Sequence, residues 1–163
     1  MPVSQAHVPL HLQECGFCQV LAGKAEASFV FRDDRVAAFL DIAPVNPGHP
    51  LVIPIRHAVH LSELDPSDGA RIFEVAQSLA AALRESGKNG GLKCEAVNLF
   101  LADGEQGGQE VPHVHLHVIP RFRGDGFSFK LPPGYGHHPE RSELDRIAAA
   151  IKAGLAISPN PAP

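Results

Sequence analysis

Three histidines at alternate positions, His113, His115 and His117, sit in the run His113-Val114-His115-Leu116-His117-Val118-Ile119. Alternation with a period of two is the pattern of a half-buried strand. Val114, Leu116 and Val118 then face a core, and the three imidazoles form a row on the other face, about 6.5–7 Å apart. Imidazole titrates, attacks and ligates near neutral pH, so such a row suits two chemistries. In one, the histidines hold a metal whose bound water attacks a substrate. In the other, one imidazole is itself the nucleophile, and phosphorus is a good target because the resulting phosphoramidate is readily hydrolysed. The preceding Gly107-Gly108-Gln109-Glu110 can offer backbone N–H groups and an amide to phosphate oxygens, which favours phosphoryl or nucleotidyl transfer.

A second candidate centre is Cys15-Gly16-Phe17-Cys18, opening a short helical turn that stops at Gly23. Two thiolates at this spacing suit one metal ion. A redox pair and two plain buried cysteines are the other readings. The odd total of three cysteines points to a reducing compartment, with Cys94 a small buried thiol.

The elements that position these residues read as follows. Residues 1–14 form a flexible lead-in, residues 15–155 one domain, and residues 156–163 a disordered tail rich in proline. Ser28–Phe31 and Val36–Leu40 read as a hairpin around Arg32–Arg35, closed by Asp41. A proline- and glycine-punctuated loop, Ile42–His49, leads to a short apolar strand, Pro50–Pro54. Asp65 caps a long helix with Pro66 at its first position. Its core face is Ile72, Val75, Ala76, Leu79, Ala80 and Leu83, and it stops at Ser86-Gly87. A strand at Cys94–Leu101, a glycine-bearing loop at Ala102–Pro112 and a last helix near Ser142–Ala153 complete the chain. Arg121 reads as an exposed arginine closing the histidine strand. His7, His11, His60, His137 and His138 read as solvent-facing.

Composition bounds the function. A net charge of -4 argues against binding a nucleic-acid polymer, and no apolar run approaches the length of a membrane span. The first residues show no basic region followed by an apolar one, so a cytoplasmic location is expected.

The order of motifs resembles the histidine triad (HIT) superfamily over residues 15 to 125. The match rests on Cys15-x-x-Cys18, Phe39-Leu40-Asp41-Ile42, Pro47-Gly48-His49, Leu51-Val52-Ile53-Pro54 with His57, Gly108-Gln109-Glu110-Val111-Pro112-His113, and the triad followed by Pro120-Arg121. The resemblance implies an α+β fold: an antiparallel sheet of about five strands with one long packed helix and a C-terminal helix. It implies a nucleotide hydrolase or transferase that attacks an α-phosphate through a covalent nucleotidyl-histidine, and a homodimer. On that pattern His115 is the nucleophile, with His117 and His49 as catalytic neighbours. Asp41 and Ile42 lie near the ribose, and Gln109 and Glu110 at the phosphate and leaving group. Members with the cysteine pair, and the related galactose-1-phosphate uridylyltransferases, imply a structural zinc on Cys15, Cys18, His57 and His113, with no catalytic cofactor. The substrate class the resemblance implies is a purine nucleoside monophosphate joined to an amine or to further phosphate. Ala102 departs from the pattern, standing where relatives often carry Asn or Gln. A non-catalytic nucleotide-binding scaffold and a metal-dependent phosphohydrolase using the triad as ligands are the alternatives.

Overall fold

The structure, a computed structural model, describes residues 15–155. The expected lead-in (1–14) and tail (156–163), with His7 and His11, lie outside the described residues. The chain divides into two compact units between Phe127 and Ser128.

The first unit is built on a five-stranded antiparallel sheet of order β1-β2-β3-β5-β4. The strands are β1 (Phe29–Arg32), β2 (Val36–Leu40), β3 (Pro50–Pro54), β4 (Ala96–Phe100) and β5 (Leu116–Arg121). The turn between β1 and β2 closes because the Asp33 carboxylate accepts the N–H groups of Arg35 and Val36 at 2.9 and 2.8 Å. Two helices cover the sheet, α1 (Gly16–Leu21) and α2 (Pro66–Lys88). Asp65 caps α2 by accepting the Ser67 N–H at 2.8 Å. The expected stop at Ser86-Gly87 is overrun: α2 continues to Lys88 and Asn89 is its C-cap. Gly87 serves a different need, because a Cβ there would lie 2.5 Å from the Cys94 carbonyl oxygen, so only glycine lets the two backbones approach.

Alternation along the strands sorts side chains onto two faces. Val36, Ala38, Val52, Leu116 and Val118 meet Ile72, Val75, Ala76 and Leu83 of α2. Ala37, Phe39, Leu51 and Ile53 meet Phe17, Val20 and Leu21 of α1 on the opposite face. Cys94 is buried as expected, its thiol donating to the Ala96 carbonyl at 3.2 Å.

The histidine run is not one continuous strand. β5 begins only at Leu116, and β3 pairs with it at just Leu51↔His117 and Val52↔Leu116. Continuing that register would set Pro54 opposite Val114, and proline has no N–H to give. The Val114 N–H bonds the Ala58 carbonyl at 2.7 Å instead. The face assignment survives the loss of ladder. Val114, Leu116 and Val118 are buried, but so are His113 and His115, so the imidazoles do not form an open row.

The second unit carries α3 (Arg141–Ala153), with Leu144, Ile147, Ala148 and Ile151 recurring along one side and Gly154 at its end. His137 and His138 are exposed there. Among the described residues no helix is long and apolar enough to cross a membrane.

Candidate active site and metal centre

The α1 turn and the segment before β5 bring four sulfur and nitrogen donors together. Cys15, Cys18, His57 and His113 each place a ligand atom within 4.8 Å of the others. Cys15 Sγ lies 3.6 Å from His113 Nδ1, and Cys18 Sγ lies 3.3 Å from His57 Nδ1 and 3.7 Å from His113 Nδ1. The two histidine Nδ1 atoms are 3.3 Å apart. A tetrahedron with Zn–S bonds of about 2.3 Å and Zn–N bonds of about 2.05 Å has S···N edges of about 3.6 Å and an N···N edge of about 3.3 Å. The donor set therefore already has the size of a tetrahedral Cys₂His₂ site.

The protonation pattern agrees. His113 Nε2 donates to the Pro54 carbonyl at 2.9 Å, so in the neutral ring Nδ1 keeps its lone pair and faces the thiols. Burial holds the His113 imidazole down to about 4, so the ring is neutral at pH 7. Burial, with the neighbouring Cys15, pushes the Cys18 thiol up to about 12. A divalent cation is the species that would reverse that penalty and accept the His113 Nδ1 lone pair. These four residues fit a structural zinc, which would tie α1 to the segment leading into β5.

His115 and His117 turn elsewhere. His115 Nδ1 donates to the His113 carbonyl at 2.7 Å, which leaves the lone pair on Nε2. On the loop before β3, His49 Nδ1 accepts the Val45 N–H at 3.2 Å. Its Nε2 therefore carries the hydrogen and donates to His117 Nδ1 at 3.0 Å, so His117 in turn bears its hydrogen on Nε2. Burial is the largest cause lowering both groups, His117 to about 4, against the smaller opposing pull of Asp41. Both rings are neutral at pH 7. The outcome is an unprotonated Nε2 on His115 beside a protonated Nε2 on His117, in rings whose centroids are 4.9 Å apart.

Asp41 stands behind this chain. Its Oδ2 lies 3.7 Å from His49 Nδ1 and 3.9 Å from His117 Nδ1, and its Oδ1 accepts the Ala43 N–H at 2.9 Å. Asp41, His49 and His117 are close enough to be weighed as metal ligands. With His49 Nδ1 accepting from Val45 and Nε2 protonated, however, His49 has no lone pair to spare, and the cluster reads as a hydrogen-bonded chain.

The remaining expected residues lie on the loops before β3 and β5. Ile42 is 96% exposed, at the start of the loop that carries His49. Gln109 gives its Nε2 to the Val59 carbonyl at 2.8 Å and accepts the Gly104 N–H on Oε1 at 2.7 Å, so two backbone groups orient its amide. Gln109 and the exposed Glu110 line a cavity of about 610 Å³ with Val59, His60, Gly104 and Glu105 among its walls. His60 is exposed, and its Nδ1 lies 3.0 Å from the Asp103 carboxylate. Ala102 is buried and brings no polar group.

Three features escape a reading of motifs. Phe17, inside the cysteine motif, stands edge-on to His115 and Phe39 at 5.2 and 5.5 Å between centroids, an aromatic wall beside the candidate nucleophile. An aromatic residue between two ligating cysteines was the available signal. The backbone of Val45 sets the His49 tautomer, and no residue type announces that. Arg121 is not an exposed strand end. It is partly buried, bonding Asp125 through Nε at 2.5 Å and Nη2 at 2.9 Å and reaching Asn98 Oδ1.

Comparisons with known proteins agree with this architecture. The HIT domain family model matches residues 22–124. An uncharacterized HIT-like protein of Borreliella burgdorferi is 40% identical over 121 residues, covering 73% of this chain and 84% of its own length. A Zn-bound histidine triad family protein from Mycobacterium smegmatis superposes with a TM-score of 0.66 at 37% identity, over 87% of this chain and 95% of that one. A histidine triad nucleotide-binding protein from Candida albicans superposes with a TM-score of 0.75 at 26% identity, over 88% and 98%. With the triad, the five-stranded sheet and this similarity all in agreement, the chain belongs to the HIT family.

Proposed function

We propose that this protein is a nucleotidyl hydrolase or transferase acting on a nucleoside phosphoramidate or a dinucleoside polyphosphate. The observation that carries the reading is the tautomer of His115. The His113 carbonyl accepts a hydrogen bond from Nδ1–H at 2.7 Å, so in the neutral ring Nε2 holds the lone pair and is the nucleophile. It attacks the α-phosphorus, forming a P–N bond as the bond to the leaving group breaks. His117, with its hydrogen on Nε2, gives that proton to the departing amine or phosphate oxygen. Water then attacks the nucleotidyl-imidazole, the P–N bond breaks, and the water's second proton restores the His49–His117 pair. Asp41 and Ile42 meet the ribose, while Gln109 and Glu110 shape the phosphate and leaving-group side. The zinc held by Cys15, Cys18, His57 and His113 serves the fold and takes no part in the reaction. The nucleotide on this reading is a purine nucleoside monophosphate derivative; the Candida albicans neighbour is a nucleotide-binding protein. We further propose a cytoplasmic homodimer, testable by light scattering.

The test is AMP release from adenosine 5′-phosphoramidate with EDTA present. The wild-type protein should turn the substrate over, and His115→Ala should lose at least about a thousandfold in kcat. Release by both proteins would refute the histidine nucleophile. Because buried Ala102 removes an amide that relatives often offer, nucleotide binding without turnover is the second reading, and tight AMP binding by an inactive wild type would establish it.

A further inference from the structure

The segment between β2 and β3 supplies two neighbours of His117, Asp41 and His49, yet it forms no strand of its own. Besides the His49–His117 contact, it is tied to β5 through the side chain of Asn46. Pairing between β3 and β5 goes no further along β5 than His117, so the edge of β5 beyond it faces this segment without a strand partner. Asn46 fills that place. It is 5% exposed, and its Nδ2 donates both hydrogens, to the Pro120 carbonyl at 2.8 Å and to Asp125 Oδ2 at 3.0 Å. Asp125 is itself fixed by Arg121 and by the Phe127 N–H at 3.1 Å. The residue before Asn46 is Val45, whose N–H bonds His49 Nδ1.

That bond decides between two states of the histidine pair. Asp41 Oδ2 is only 3.7 Å from the same His49 nitrogen and favours a proton there. If Val45 withdrew, His49 would take Nδ1–H toward Asp41, and its Nε2 would become an acceptor. His117 would then donate from Nδ1 and be left with a bare Nε2, unable to protonate a leaving group. A hydrogen bond of 3.2 Å tolerates little displacement before it is lost.

We propose that Asn46 is a positioning residue: by clasping Pro120 and Asp125 it holds the Val45 N–H on His49 and so keeps the reactive proton on His117 Nε2. The inference rests on the reading of His117 as proton donor, but its first readout needs no substrate. In the full-length protein with ¹⁵N-labelled histidine, NMR should show His49 and His117 of the wild type both as Nε2–H tautomers. Asn46→Ala should move His117 toward the Nδ1–H form. With adenosine 5′-phosphoramidate it should lower kcat about ten- to a hundredfold, the scale of a misplacement of about 1 Å, with KM within about twofold. Arg71→Ala, which breaks the Arg71–Asp33 pair outside the site, controls for a general loss of stability and should leave both tautomers as they are. Should Asn46→Ala fail to fold, Asn46→Ser, which keeps one shorter donor, is read in the same way and should show the same shift. Wild-type tautomers in the folded variant, or an unchanged kcat where the wild type is active, would overturn the proposal. A wild type that turns nothing over, with the tautomer shift present, would instead refute the proposed function and leave the role of Asn46 standing.

Discussion

Removing zinc, by chelation or by Cys15→Ala, should cost stability far more than chemistry. Four of the six separations between the donor atoms are 3.3 to 3.7 Å, close to the edges of a tetrahedral site, and all six are within 4.8 Å, so little binding energy is spent on rearrangement. Metal that binds only the folded chain, present at about a thousand times its Kd, contributes about 4 kcal/mol. For a chain of 163 residues, 1 kcal/mol moves Tm by about 2–4 °C, so the loss should be about 8–16 °C. The assay is differential scanning fluorimetry of the zinc-loaded protein, the chelated protein and Cys15→Ala, with metal content measured in each. Cobalt substitution should add the absorption of a tetrahedral S₂N₂ site. AMP release, measured well below the lowest Tm, should stay within about tenfold, because His115 is oriented by a backbone carbonyl and not by the metal. The affinity should also fall with pH, at about tenfold per pH unit from Cys18 alone, whose thiol rebinds a proton below about 12 once the ion leaves. Loss of activity in Cys15→Ala with unchanged Tm and metal content would refute this division of labour.

Two further outcomes test the site's surroundings. Gly48 has φ +85°, a conformation that costs an L-residue about 1–2 kcal/mol, so Gly48→Ala should lower the urea-derived stability by about 1 kcal/mol and disturb the turn that delivers His49; a change under about 0.3 kcal/mol would contradict the turn. His117 is held at about 4 in the fold against about 6.5 when unfolded, so between those values the unfolded chain binds more protons and stability should fall as pH drops from about 6.5 to about 4; urea midpoints of His117→Gln should show a flatter dependence, and an identical slope would contradict the burial argument.

Much of the site was legible because its parts are written locally. The period-two run placed Val114, Leu116 and Val118 in the core, and Asp65-Pro66 marked the start of α2. What the run could not show was where the ladder stops. The limit comes from Pro54, 60 positions away from Val114 and opposite it only in the folded register. Gly87 misled for the same kind of reason, since a glycine that ends a helix and one that admits a neighbouring backbone look identical in sequence.

The sequence by itself determined the family, the order of strands and helices, and which residue types could attack phosphorus or hold zinc. These follow from short-range periodicity and from motif spacing along one chain. Only the tertiary structure decided which nitrogen of each imidazole carries the proton. Pro54, His113 and Val45 each present one backbone group to one ring, at 2.9, 2.7 and 3.2 Å, and a neutral imidazole places its hydrogen according to that partner. His113, His115 and His49 are thereby each given one tautomer, because Pro54 and Val45 are placed against their rings by the fold and no spacing in the sequence encodes which nitrogen each backbone group meets.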